Sequence, residues 1–192
     1  MPTIAEIDRE IEDASRPGLR SPEFLDLRSG LKSGQMRRGF AHDQSRSRLG
    51  AGRAEFEAAV RAMEQWKPFD LGWVRVANPS ARIEVGQTVA VEVLALGLWS
   101  INLSQIVEVV REPFLFGFTY KTTLQHVEEG EERFLLTLNR DSGAVDYDLE
   151  AVSRPRSLLA KLGFPVTRAF QHRFARDSHR RMREAIESRV GC

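Results

Sequence analysis

Apolar and polar residues alternate through the middle of the chain with a period of two. The alternation is strictest over residues 114–122, 131–140 and 145–153. Because successive side chains of a β-strand point to opposite faces of a sheet, this spacing predicts antiparallel strands with one apolar and one polar face. Weaker apolar runs predict further strands over residues 39–48, 73–76, 88–96 and 99–111.

One face of the predicted sheet is apolar and contains a few polar groups. The polar groups on this face are Tyr120, Glu132, Tyr147 and Ser153. We expect the opposite face, with Asp146, Asp148 and Glu150, to point to water. The remaining residues of the apolar face are Trp99, Ile101, Leu103, Val107, Val109, Phe114, Phe116, Phe118, Phe134, Leu136, Leu138, Val145 and Leu149.

Two segments change to the helical period of 3.6 residues. The first predicts a helix over residues 53–66, which ends before Pro68. The second follows Pro155 and predicts a long C-terminal helix that reaches about residue 188. Together the patterns predict an α+β fold in which a curved antiparallel sheet of about six or seven strands wraps on one long C-terminal helix.

The first part of the chain is less regular than the rest. Ile4, Ile7 and Ile11 have the spacing of a short helix, but glycine and proline interrupt the residues that follow. We therefore expect an irregular arm over residues 1–38 and one domain over residues 39–190. A chain of 192 residues can bury a core without a disulfide or a metal.

Cysteine usage and hydropathy indicate the compartment. The single cysteine is Cys192, so no disulfide can form within the chain. No run of about 20 apolar residues occurs. The N-terminus lacks the basic and then apolar order of a secretory signal. We expect a cytoplasmic location.

The net charge of +1 hides an asymmetry between sheet and helix. Residues 112–152 contain nine acidic and three basic residues, whereas residues 153–192 contain ten basic and three acidic residues. The two parts can attract each other within the fold, or the helix can present a basic face to phosphates or anionic lipid. Acidic residues interrupt the basic run at Asp177, Glu184 and Glu187, which disfavours nucleic acid as a partner and leaves a membrane surface open.

The polar groups of the apolar face predict a candidate pocket. A carboxylate such as Glu132 on an apolar face must be paired, hydrated or protonated. It can orient a ligand with both tyrosines and Ser153, or it can pair with Arg154 at the edge of the sheet. Ser153 can also cap a helix, because a proline follows two residues later.

Catalytic candidates are Tyr120, His126 and Glu132. His126 lies beside a run of glutamates and can act in acid–base chemistry, or it can belong to a solvated hairpin loop. We predict no metal and no cofactor. His172 and His179 stand about 10 Å apart along a helix, which exceeds the reach of one metal ion. The chain lacks a glycine-rich phosphate loop and a recognisable nucleophile motif.

The chain also resembles a known family. The segments Gly117-Phe118-Thr119-Tyr120 and Gly130-Glu131-Glu132-Arg133-Phe134, with His126 between them, resemble the bacterial and plant family catalogued as domain of unknown function nineteen-ninety. Further matching blocks are Leu49-Gly50-Ala51-Gly52, Ser153-Arg154-Pro155, Gly163-Phe164-Pro165 and Asp177-Ser178. The loop from Lys121 to Gln125 departs from the family pattern. The resemblance implies a START-like, helix-grip fold of the SRPBCC type with an apolar cavity between sheet and helix.

Three functional hypotheses follow. The first is non-enzymatic binding of a small apolar or amphipathic ligand in that cavity. The second is a cyclase-like or hydrolase-like enzyme that uses the same pocket. The third is a membrane-surface or protein-interaction module that uses the basic C-terminal helix. The predicted ligand-binding residues are Trp99, Phe116, Phe118, Tyr120, Glu132, Tyr147, Ser153 and Arg154.

Overall fold

The computed structural model describes residues 23–32, 34, 38–123, 128–155 and 164–190. A short ribbon comes first, made of β1 (Leu25–Asp26) and β2 (Gly30–Leu31). The main feature is a curled antiparallel sheet of seven strands, which confirms the predicted strand number. In chain order its strands are β3 (Ala41–Ala51), β4 (Val74–Val76), β5 (Thr88–Ala95), β6 (Leu98–Glu112), β7 (Leu115–Thr122), β8 (Glu128–Leu138) and β9 (Ala144–Pro155).

From β4 to β9, each strand pairs with the next one in the chain. The exception is β3, the first strand of this sheet, which pairs with the last strand, β9, and forms the edge opposite β4. Their order across the sheet is β3-β9-β8-β7-β6-β5-β4. Helix α1 (Arg53–Glu64) follows β3, and a 3-10 turn (Lys67–Phe69) follows α1. Helix α2 (Phe164–Val190) is the long C-terminal helix and contacts α1, the 3-10 turn, β3 and β9. This arrangement is the sheet wrapped on a C-terminal helix that the alternation predicts, and the helix-grip fold that the family resemblance implies.

Aromatic residues fill the core on the concave face of the sheet. Phe118 and Phe134 are directly opposite residues of β7 and β8, and their rings stack with centroids 4.9 Å apart. The indole ring of Trp66 meets Phe118 edge-on at 5.6 Å. From α2, Met182 and Ile186 are buried in the same cluster. The expected burial of Phe116, Phe118 and Phe134 is therefore confirmed.

The convex face of the sheet differs from the prediction. Asp148 and Glu150 were expected to point to water, but each is only 1% exposed. Both carboxylates bind the buried guanidinium of Arg133, at 2.6 Å from Nη2. Residues 23–32 lie over this face, and the carbonyl oxygen of Leu27 accepts a further hydrogen bond from Arg133 at 3.1 Å. A charged strand face therefore packs against the arm instead of solvent.

The arm is held by backbone hydrogen bonds to buried carboxylates. Glu131 is 2% exposed, and its carboxylate accepts from the backbone N–H groups of Glu23, Phe24 and Leu25. Phe24 packs on Phe40 with ring centroids 4.6 Å apart. The described part of the arm thus forms an outer layer on the sheet.

A β-bulge in β6 overturns the predicted facing of the first half of that strand. The register of β6 against β7 shifts between Ile106 and Glu108, so Val107 is an extra residue. Beyond the bulge Val109 pairs with Phe118 on the concave face. Before the bulge, Ser100 faces the cavity, and its neighbour Trp99 therefore points to the opposite, convex face. A constant period of two across residues 99–109 was therefore wrong.

Ser153 does not cap a helix. It lies within β9, paired with Ala41 of β3 and Gly130 of β8. The strand continues to Pro155, at the edge of the described residues. The helix-cap interpretation was wrong because the strand extends two residues past the point where its alternation ends in the sequence.

Candidate functional site

A cavity of about 410 Å³ lies between the concave face of the sheet and the first turns of α2. β4 and β5 supply one apolar wall, and the 3-10 turn and α2 supply aromatic rings above it. β6 to β9 and β3 supply the remaining walls. Its apolar lining includes Phe69, Trp73, Val74, Val91, Val93, Ala95, Leu96, Leu149, Ala151, Phe170, Phe174 and Ala175.

Polar side chains enter this lining at separate places around the cavity. They come from inward-facing positions of β3 and of β6 to β9, and from two consecutive residues of α2. The polar lining residues include Asp43, Ser45, Ser100, Asn102, Ser104, Tyr120, Thr122, Glu132, Ser153, Gln171 and His172. The cavity is therefore amphipathic, with most of its polar groups on the sheet.

A phenol and a carboxylate form the first polar pair. Tyr120 on β7 and Glu132 on β8 are directly opposite residues, and the phenol donates a hydrogen bond to Oε2 of Glu132. Burial, followed by the negative charge of Glu132, raises the pKa of Tyr120 well above its ordinary value. The phenol is thus a hydrogen-bond donor at neutral pH and not a base.

A second polar group joins α2 to the edge of the sheet. Nε2 of Gln171 donates to Oγ of Ser153 at 3.0 Å. One turn earlier, Arg168 forms a two-pronged ion pair with Asp43 of β3, and its Nη2 lies 2.6 Å from Oδ1. Arg168 also donates to Oε1 of Gln171 at 3.2 Å. These contacts position the start of α2 beside the cavity.

A third polar group centres on a buried histidine. The ring nitrogens of His179 lie 2.8 Å from the hydroxyls of Ser45 and Ser47, two neighbouring inward positions of β3. The ring meets Tyr147 edge-on at 4.8 Å. Burial, with a smaller contribution from the charge of Arg183, lowers the pKa of His179 to about 4. The imidazole is therefore neutral at physiological pH and a weak base.

Three of the predicted site residues line the cavity together: Tyr120, Glu132 and Ser153. The structure places the others elsewhere. Phe116 and Phe118 lie in the packed core with no part in the cavity lining, and Tyr147 is buried with its hydroxyl 3.0 Å from Oγ of Ser178.

Two predicted residues lie on the other face of the sheet. Trp99 stacks under the guanidinium of Arg75 at 4.9 Å. Arg154 binds Glu129 at 2.7 Å and stacks on Phe40, so the arginine partner expected for Glu132 is engaged with another carboxylate. His126 lies outside the described residues.

Sequence reasoning missed several polar residues of the cavity. Ser100, Asn102 and Ser104 point inward because the bulge reverses the facing of the first half of β6. The signal that could have found them is the apolar alternation of β5, whose Val91 pairs directly with Asn102.

Two other kinds of feature are absent from the described residues, a metal-binding cluster and a membrane-spanning helix. No three of their histidine, cysteine, aspartate or glutamate side chains come together in a group that could hold a metal ion. No helix among them is long and apolar enough to span a membrane.

Comparison with known proteins decides the family. Residues 28–181 match the family model described as "Domain of unknown function (DUF1990)". The chain belongs to the DUF1990 family. The structure explains the alternation in residues 130–134 of this chain. Glu132 faces the cavity and Phe134 the core, whereas Glu131 and Arg133 bind the arm.

Curated relatives of this DUF1990 chain come from distant organisms. A UPF0548 protein of Dictyostelium discoideum is 38% identical over 160 residues, which cover 78% of this chain and 74% of the relative. A UPF0548 protein of Arabidopsis thaliana is 31% identical over 146 residues, which cover 73% of this chain and 70% of the relative. One of Deinococcus radiodurans is 33% identical and covers 77% of each. Because two of these organisms are eukaryotes, the relatives do not assign the chain to bacteria.

Solved structures confirm the fold of this DUF1990 chain. The Zhui aromatase/cyclase of Streptomyces sp. R1128 matches with a TM-score of 0.58, 12% identity, and coverage of 79% of this chain and 96% of that one. A point mutant of norcoclaurine synthase from Thalictrum flavum matches with a TM-score of 0.52, 7% identity, and coverage of 79% and 96%. At these identities the likeness shows the fold alone.

Proposed function

We propose that this DUF1990 chain binds a small apolar or amphipathic molecule between its sheet and α2. The observation that carries the proposal is the cavity of about 410 Å³, whose walls are mainly apolar and carry separate polar groups. Ligand pockets commonly measure roughly 300–1,000 Å³ and combine an apolar lining with a few polar groups. The cavity has both properties.

The polar groups suggest how such a molecule would be oriented. Its apolar part would lie against Val91, Val93 and Phe174, where desolvation provides most of the binding free energy. Its polar end would reach the pair of Tyr120 and Glu132.

The fold neighbours add support. The norcoclaurine synthase mutant is in complex with a transition-state analogue, so this architecture accommodates a small molecule in that neighbour. The Zhui protein is an aromatase/cyclase. Both are compatible with a binding cavity in the same fold, and neither names the molecule that this chain would take.

The test uses two matched substitutions on one helix. Ala175 lines the cavity, whereas Ala169 of α2 is exposed to solvent. The probe is 8-anilinonaphthalene-1-sulfonate, an amphipathic dye that fluoresces in apolar cavities. Ala175→Phe fills part of the cavity, so we expect it to weaken dye binding by about tenfold or more, while Ala169→Phe stays within about twofold.

Native mass spectrometry of the gently purified chain provides a second readout. A co-purifying molecule lost in Ala175→Phe and kept in Ala169→Phe supports the proposal. Equal dye affinity in all three proteins, with no co-purifying molecule, would overturn it.

Acid–base catalysis in the same cavity is the second candidate, favoured by the Tyr120–Glu132 pair. Because the phenol stays protonated, Tyr120 would donate a hydrogen bond to the reacting molecule, and Glu132 would accept a proton from it. Incubating the co-purified molecule with the native chain and with Glu132→Gln separates the two functions. Conversion by the native chain alone supports catalysis, and an unchanged mass in both supports simple binding.

Attachment to a membrane through the basic face of α2 finds less support. Asp177 lies within 3.5 Å of the guanidinium nitrogens of Arg173, Arg176 and Arg180. Asp70 pairs with Arg181 at 2.7 Å. Neighbouring carboxylates therefore neutralise much of this face.

A further inference from the structure

The hairpin between β5 and β6 exposes two leucines at its tip. Leu96 is 85% exposed and Leu98 is 75% exposed. Within the described part of the chain, Val85 is the other exposed large hydrophobic residue, at 65%. An exposed apolar residue alone is ordinary, but two of them beside one glycine concentrate apolar area at a single apex.

The backbone of this tip is also unfavourable for a leucine. Leu96 has a φ of 52° and Gly97 a φ of 81°, so both residues of the two-residue loop adopt left-handed conformations. Such loops favour Asn-Gly, because asparagine and glycine tolerate this region and branched apolar side chains do not. Leu96 therefore has both an unfavourable backbone conformation and an unfavourable exposure to water. Residues with such unfavourable features are concentrated at functional positions.

The tip stands at the cavity. Ala95 and Leu96 belong to the cavity lining. One residue beyond the apex, Trp99 is half-buried on the convex face, and the guanidinium of Arg75 lies 4.9 Å from its ring. An apolar apex followed by a tryptophan and a long cationic side chain is the order found at the boundary between bilayer and water.

We propose that the Leu96–Leu98 tip inserts into the surface of a lipid bilayer and brings the opening of the cavity to that surface. The insertion is shallow, since only the apex is apolar and residues of a strand rise about 3.3 Å each. A stable protein partner would need an interface of roughly 1,000 Å² or more, which two leucine side chains do not provide. The proposal does not depend on what the cavity holds.

The experiment is co-sedimentation of the full chain with phosphatidylcholine vesicles, at low salt and at about 0.5 M salt, where surface charges are screened. We expect the native chain to bind at both. The double substitution Leu96→Asn with Leu98→Ser should lower the partition coefficient by about tenfold or more. Val85→Ser is the control, because Val85 is also an exposed large apolar residue but lies in the loop before the opposite end of β5, and this substitution should leave partition unchanged.

Leu96→Asn alone separates this role from a structural one. Asparagine suits the left-handed position, so the variant should unfold at a higher temperature while it binds vesicles less. A normal or raised melting temperature shows that lost binding is not lost folding.

Three results would overturn the proposal. The first is no binding of the native chain to phosphatidylcholine vesicles. The second is binding to anionic vesicles alone that disappears at about 0.5 M salt, which would assign attachment to charge. The third is a lipid-free dimer that Leu96→Asn converts to a monomer, which would make the tip an interface between copies.

Discussion

The hydroxyl of Tyr120 donates a hydrogen bond to the carboxylate of Glu132, the residue directly opposite it on the neighbouring strand. Tyr147 is likewise buried, with its hydroxyl beside Ser178. Burial is the main cause that raises the pKa of both phenols. The chain contains two tyrosines, and both are buried on the concave face of the sheet, so tyrosine ionisation reports on the packing of that face.

Alkaline titration should therefore show no tyrosinate in the folded chain. An unfolded tyrosine loses its proton near pH 10, whereas the folded chain keeps both protons there. The unfolded state then binds fewer protons, so the free energy of unfolding falls as pH rises above about 10. We expect the absorbance of tyrosinate near 295 nm to appear together with the loss of far-ultraviolet circular dichroism. Tyrosinate formed near pH 10 in a chain that stays folded would contradict this.

Acid should destabilise the fold through His179. Its folded pKa of about 4 lies below the unfolded value of about 6.5, so the unfolded state takes up a proton first as pH falls. The free energy of unfolding should decrease between about pH 6.5 and pH 4 and be insensitive to this histidine above that range. His179→Gln, which does not titrate, should flatten this part of the curve in urea denaturation. An unchanged slope in that variant would show that other groups cause the acid sensitivity.

Loss of the buried guanidinium of Arg133 should be strongly destabilising. Arg133→Ala removes the buried cation that Asp148 and Glu150 share and leaves them with the more exposed Arg46 and His42 as partners, which costs about 3 kcal/mol. Arg48→Ala is the comparison, because Arg48 pairs with Asp146 on the same face but is itself exposed to solvent, and it should cost no more than about 1 kcal/mol. Urea denaturation of both variants measures the difference. Similar losses would show that the buried network contributes little.

Glu131 should control the order of the arm. Its carboxylate accepts three backbone N–H groups, and Glu131→Gln replaces one acceptor oxygen with a donor that faces them. We expect destabilisation of about 1–3 kcal/mol and faster hydrogen exchange at Phe24 and Leu25. Exchange in the core strands β7 and β8 serves as the internal control and should change less. Equal acceleration everywhere would mean that the arm does not open separately.

The fold could be predicted from the sequence because its main signals are local. The alternation around Phe118 and Phe134 identifies the concave face, and helical spacing identifies α1 and α2. The convex face could not be predicted in the same way. Aspartate and glutamate at alternate positions look the same whether water or the arm covers them, and the pairing of Arg133 with Leu27 joins residues far apart in the chain.

The cavity was predicted in part for a similar reason. Tyr120, Glu132 and Ser153 follow the alternation of regular strands, so their inward facing was visible in the sequence. A bulged residue such as Val107 has no distinctive pattern in the sequence. The alternation was therefore continued through it, and the predicted facing of Trp99 was wrong. The bonds from His179 to Ser45 and Ser47 depend on where α2 crosses β3, which no local pattern encodes.

The buried charges of the convex face also affect which strand alignments are allowed during folding. Sliding β8 by one residue would turn Arg133 into the apolar core and Phe134 out against Asp148. Each such misalignment therefore has two costs, a buried charge in the core and an apolar ring among carboxylates. In a sheet with one face in water, the main cost of such slippage is the exposure of apolar residues to water. The charge network therefore selects a single alignment for the chain, whatever net stability it adds.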